Sequence, residues 1–235
     1  MNKIFWGFFL VLTFIVTLPV SWWALAKADF GYGFLYDQIN ISEHIERYAP
    51  RNSQGKKHFE LTTKEQRAAL FHGVIEAIQT QGKGLDELSY VDKPKQQNIK
   101  LFTSAEVTHL QDVANLLDKL KIPLLISLVV WISFIIILWQ RKISIASTKQ
   151  LLFSTLLILL IVGAILALGP EAIFNQLHIW VFPNNHQWFF YYEESLMSTM
   201  MKAPDLFAYI AAMWALLSIV LTVMVIAFLR RFLKR

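Results

Sequence analysis

The chain of 235 residues contains no cysteine. That excludes a thiolate nucleophile, a thioester intermediate, a Cys-ligated metal or cluster and a disulfide framework. It also lacks charge over four long stretches, 4–26, 123–140, 150–169 and 206–229. A bilayer crossing takes roughly 20 apolar residues, so these predict an all-α integral membrane protein with four transmembrane helices. No predicted span has an ionisable side chain in its middle. Proton relays and ion pathways need such groups, which argues against a pump or an ion-coupled transporter. A G-x-S-x-G elbow, an H-E-x-x-H pair, a glycine-rich phosphate loop and a C-x-x-C pair are likewise missing. Acyl-serine hydrolysis, zinc proteolysis and nucleotide binding are therefore not indicated.

The charges that are present are unevenly placed. The N-terminus, the 141–149 loop and the C-terminal tail carry Lys3, Arg141, Lys142, Lys149, Arg230, Arg231, Lys234 and Arg235, with no acid among them. All 17 Asp and Glu residues lie in 27–122 and 170–205, with the other 14 basic residues. Uncompensated cations mark the cytoplasmic side. Both termini and 141–149 are thus expected inside, and 27–122 and 170–205 form a helical extracytoplasmic region of a single membrane domain. The sequence pI of 9.3 is then a topology signal and not a nucleic-acid footprint. The first apolar run ends in Ala24-Leu25-Ala26-Lys27-Ala28, somewhat like a cleavable signal. Its length and the Trp22-Trp23 interface pair favour a retained first span.

Local signals place the outer elements. Thr62 and Glu65 read as a capping box opening a helix over 62–81, with Gly82 as its stop. Residues 82–102 read as a polar connector, and Phe30 to Tyr36 as an aromatic turn at the outer interface. His44 and His58 are expected to be solvated, and His72 packed or on the surface. Thr103 and Glu106 form another capping box, opening an amphipathic helix over 103–121 with Val107, Leu110, Val113, Leu117 and Leu120 on one face. His109 and Asp112 are three apart and so side by side on that helix. His109 lies about three to four turns before Pro123, where the next span starts. Eight aromatics crowd residues 170–192, a pattern that predicts a belt at the outer headgroups around His178. Pro183-Asn184-Asn185 reads as a turn, and Leu196 to Met201 as a short apolar piece along the interface. An imidazole can take a proton from an amine and return one to an alkoxide, so His109 and His178 are the candidate chemical groups. Asp112 is placed to fix the tautomer of His109.

Three elements resemble the bacterial lipoprotein intramolecular transacylase family. Phe102 to Val113 is similar to its F-T-x-x-E-x-x-H-M-x-D-V pattern, with Leu110 in place of Met. His178 to Asn185 and Trp188 are similar to its H-x-x-F-F-P and following Trp, with Val181 in place of an aromatic. Ala203 to Phe207 is similar to the P-E-x-F-F motif that opens its last span. Ala114 stands where Lys is frequent, and Glu193 and Glu194 where an Asp follows the Trp. The resemblance implies a multi-pass acyltransferase of the bacterial inner membrane, active on its outer face. It would move the sn-2 acyl chain of a diacylated lipoprotein onto the amine of the N-terminal cysteine. Its partners would be that lipoprotein and membrane lipid, without cofactor, metal or nucleic acid. His109, His178 and Asp112 are then the catalytic candidates. Trp188 and Phe182 would line the acyl-chain entrance. The competing reading is a membrane assembly factor or chaperone in which both histidines are dispensable; a lipid hydrolase with water as acceptor is a third.

Overall fold

The computed structural model describes residues 3–167, 170–182 and 185–233. Nine α-helices occupy them: α1 (Lys3–Lys27), α2 (Tyr32–Gln38), α3 (Ile41–Tyr48), α4 (Lys64–Gln79), α5 (Ser104–Gln140), α6 (Thr148–Leu166), α7 (Pro170–Val181), α8 (Leu196–Met201) and α9 (Asp205–Phe232). Short 3-10 turns and one hairpin, β1 (Ser89–Asp92) with β2 (Gln97–Lys100), complete the described chain. Its contacts divide into two compact units. The first is Met1–Ala24, Leu120–His178 and Met213–Arg235; the second is Leu25–Lys119 and Ile179–Ala212.

Among the described residues, three helical stretches are long and apolar enough to cross a membrane: Ile4–Lys27, Ser104–Gln140 and Asp205–Phe232. The expected span over 150–169 corresponds to α6, a 19-residue helix outside that trio; residues 168 and 169 lie outside the described chain. Within the first unit, Trp6 and Phe9 of α1, Leu138 of α5 and Ile226 and Leu229 of α9 build one apolar cluster. Lipid is as apolar as these side chains, so helix association in a membrane also uses small polar residues. Thr13, Thr17 and Ser21 recur every fourth position on α1 and therefore share a face. Thr13 accepts the indole N–H of Trp131, 3.0 Å away. Thr17 shares a hydrogen bond with Thr222 at 3.0 Å, and Ser21 with Ser218. The outward positions Ile122, Leu125, Ile126 and Val129 of α5 are exposed, as a lipid-facing surface requires.

The second unit is a packed helical body. Tyr32 is buried, stacks on Phe71 at 4.2 Å, and donates its hydroxyl hydrogen to the carbonyl of Met200 at 3.0 Å. The expected outer aromatic turn is thus largely core: Phe30, Tyr32, Leu35 and Tyr36 are buried, while Phe34 is exposed. The α4 capping box is one residue later than expected. Thr63 Oγ1 accepts from the Gln66 amide at 3.3 Å, and Gln66 Oε1 accepts from the Thr63 amide at 2.9 Å. Thr62 is engaged elsewhere, donating to the Phe59 carbonyl and accepting from the buried Arg67. Gly82 does close this helix, its amide reaching the Ala77 carbonyl at 2.7 Å with φ +80°. A side chain there would also collide with Gln111 of α5, a long-range reason that local sequence does not show.

Residues 82–102 are more ordered than a polar connector. Ser89 pairs with Lys100 and Tyr90 with Ile99 in an antiparallel hairpin. Its polar faces and four-residue length hide it from any period-2 pattern. The hairpin delivers the buried Leu101 and Phe102 to the start of α5. His58 is not simply solvated: its Nδ1 donates to the buried Asp92 at 2.9 Å. His72 bonds Asp29 at 2.7 Å from an exposed position. Leu196 to Met201 is not a surface strip but α8, with all six residues buried against the second unit.

Candidate active site

The site starts from a carboxylate that has left water. Glu106 is fully buried, and every oxygen of it is used. Oε2 accepts from the Thr103 amide at 2.6 Å, while the Glu106 amide donates back to Thr103 Oγ1 at 3.3 Å. That is the expected capping box. The other oxygen, Oε1, accepts from the Ser195 hydroxyl at 2.6 Å and from the Met197 amide at 3.1 Å. Ser195 in turn caps α8 by accepting from the Ser198 amide at 2.9 Å. One side chain thereby fastens the N-termini of α5 and α8 together, although 89 positions separate Glu106 from Ser195.

One turn on, α5 presents His109 and Asp112 to Phe182 and residues 185–190. The His109 ring lies 5.1 Å from the ring of Phe182 and 6.0 Å from that of the buried Phe190. Between those two aromatics in sequence comes His186, whose Nδ1 is 2.6 Å from Asp112 Oδ2. Asp112 was expected beside His109; its hydrogen bond goes to His186, a residue that motif spacing did not single out. The pair is 74 positions apart, so only the fold brings it together. Trp188 is half-buried, its ring edge-on to Phe189 at 6.1 Å. Of the aromatic belt, Trp180, Phe189 and Tyr191 are exposed, whereas Phe190 is buried. The expected turn at 183–185 falls largely outside the described residues, as does the side chain of Phe174. His178 sits half-buried in the last turn of α7, in the part counted with the first unit. Among the described residues no group of three or more His, Cys, Asp or Glu side chains could hold a metal ion.

Another polar cluster lies in the second unit. A cavity of about 280 Å³ is lined by Asn40, Glu43, His44, Arg47, Tyr48, Tyr192 and Lys202. The His44 ring packs on Tyr48 at 4.7 Å and Tyr192 at 4.4 Å, and its Nε2 is buried without a hydrogen-bond partner. Burial pushes His44 from 6.5 down to about 4, with Lys202 and Arg47 pushing the same way and Asp205 opposing. The expectation that it is solvated is thus replaced by a neutral, packed imidazole. Unfolded chains bind this proton below pH 6.5 and the folded protein only below about 4, so acid favours unfolding across that window. The unfolding temperature of the wild type should fall from pH 6.5 to pH 4 more steeply than that of His44→Gln. The raised His72 acts with the opposite sign but is common to both proteins and cancels in the difference. Parallel curves would show that His44 does not titrate in this way.

Three comparisons bear on the whole chain. The sequence profile of the family described as lipoprotein intramolecular transacylase Lit matches residues 5–204. A solved structure of the membrane-integral lipoprotein intramolecular transacylase Lit from Bacillus cereus, carrying a histidine-to-arginine mutation, shares the fold. It has a TM-score of 0.66 at 16% identity, over 98% of this chain and 91% of that one. No curated protein sequence matches.

Proposed function

Because the chain belongs to the lipoprotein intramolecular transacylase family, and is accordingly a membrane enzyme acting on lipoproteins, we propose that it moves the sn-2 acyl chain of a diacylglyceryl-cysteine lipoprotein onto that cysteine's α-amine. The product is an N-acylated lyso-lipoprotein. The observation that carries this reading is the start of α5, where the buried Glu106 holds the helix so that His109 and Asp112 meet Phe182, His186 and Phe190.

Amine and ester belong to one substrate molecule, so proximity is largely supplied by the substrate and no acyl-enzyme is required. That suits a chain without cysteine or a serine elbow. The enzyme's remaining work is to move a proton off the amine, steady the oxyanion of the tetrahedral intermediate, and protonate the departing sn-2 oxygen. His109 and His178 are the imidazoles assigned to these tasks. Phe182, against His109, and Trp188 line the way in for the acyl chain. The proposed topology has four spans, with α6 as the third, both termini in the cytoplasm and the site at the outer face of the bacterial cytoplasmic membrane; the distribution of uncompensated cations supports it.

The test is expression in a bacterial strain lacking its usual N-acylating enzyme, with a reporter lipoprotein analysed by mass spectrometry. The expected result is a lipoprotein of unchanged total acyl content with one chain on nitrogen and a free sn-2 hydroxyl. Release of free fatty acid instead would make the protein a hydrolase. A reporter left unmodified by well-expressed protein would favour the assembly-factor reading.

A further inference from the structure

The Asp112–His186 pair has a geometry that a mere loop anchor does not need. An ionised carboxylate only accepts hydrogen bonds, so at 2.6 Å the proton between the two sits on His186 Nδ1. Neutral imidazole carries one ring proton, and Nε2 is then the basic nitrogen. This is how a carboxylate orients a general base: it selects the tautomer and stabilises the imidazolium that forms. Asp112 is 13% exposed and His186 32%, so the carboxylate is sheltered while the ring keeps access to its surroundings. Asp112 also stands one helical step from His109, and the two aromatics that flank the His109 ring, Phe182 and Phe190, lie four residues either side of His186. His186 is thus a second imidazole at the α5 surface that carries the first.

We propose that His186, oriented by Asp112, is a further catalytic residue and serves as the proton carrier of the acyl shift. The inference rests on the transacylase reading. As the cysteine nitrogen bonds to the sn-2 carbonyl carbon, an N–H proton passes to His186 Nε2 and the carbonyl electrons move onto oxygen. When the tetrahedral intermediate collapses, the bond from carbon to the sn-2 oxygen breaks. The proton on Nε2 then passes to that oxygen, giving the hydroxyl and restoring neutral His186. No co-reactant is consumed. His109, on the same α5 surface, then has the oxyanion as its task.

The experiment uses full-length protein in lipid with a synthetic diacylglyceryl-cysteine peptide. His186→Gln can still donate a side-chain hydrogen bond to Asp112 but cannot carry a proton. Its kcat should fall on the order of 10²-fold, the lower end for general acid–base catalysis, with KM and unfolding temperature near wild type. Asp112→Asn, which retains an acceptor oxygen for Nδ1, should lower kcat in the same direction. His186→Ala should recover activity when free imidazole is added, and wild type should not respond. A structural anchor predicts the reverse pattern: His186→Gln with kcat within threefold of wild type, or His186→Ala with no imidazole response, overturns the proposal. If the glutamine variant does not fold, the imidazole response of His186→Ala and the kcat of Asp112→Asn decide it. A wild-type protein that makes no N-acyl product would instead overturn the transacylase reading, so the two failures are distinguishable.

Discussion

His109→Asn is expected to lower formation of N-acyl lyso-lipoprotein about 10³-fold, within the range that loss of an acid–base group or an oxyanion donor produces. Asparagine keeps a polar amide at the position, so the change isolates the imidazole's charge and proton chemistry from its bulk. The loss should appear in kcat with KM little changed, because the interaction removed exists only along the reaction path. His178→Asn should give a loss of the same order. The measurement is a time course of the N-acyl product by mass spectrometry, normalised to protein in the membrane. Activity within threefold of wild type for either variant would remove that histidine from the reaction. Activity retained by both would remove the acyl-transfer chemistry proposed for this chain. The two substitutions separate by the element they report on: His109 stands on α5 within the second unit, and His178 on α7 in the part counted with the first.

Glu106→Ala should destabilise the second unit by about 3 kcal/mol, since removing a charged acceptor costs its own hydrogen bonds and strands the buried donors that used it. Those donors are the Ser195 hydroxyl and the Met197 amide, and the Thr103 amide loses its cap as well. At that size the folded-to-unfolded ratio falls by roughly 10². Glu106→Gln should cost less but not nothing. Its amide group has one acceptor oxygen and one donor nitrogen, so the nitrogen must face either the Thr103 amide or the Ser195–Met197 pair. Removing the stranded hydroxyl in Glu106→Ala/Ser195→Ala should make the double variant less destabilised than the sum of the singles, as coupled neighbours do. Thermal unfolding in detergent reads all four proteins. Strict additivity would show that the buried network is not energetically connected.

Much of this protein is legible along the chain because the relevant physics is local. Apolar runs long enough for lipid show as uncharged stretches, cation placement supports a topology, and the Thr103–Glu106 box announces the start of α5 from four consecutive residues. The family motif around His109 is equally continuous. Other signals failed where a different partner competed. Thr62 looked like a cap but is taken by Phe59 and Arg67. Phe30, Tyr32 and Tyr36 looked interfacial but are buried, with Tyr32 tied to Met200 across 168 positions, while Phe34 is exposed. α8 looked like a strip lying on the membrane and is core.

By itself, the amino-acid sequence determined the membrane class and the family. Tertiary structure alone decided that Glu106 serves two helices, and that Asp112 pairs with His186. A hydrogen bond is specified by distance and direction in space, and a chain that folds back on itself leaves no periodic trace of which distant residue will arrive there.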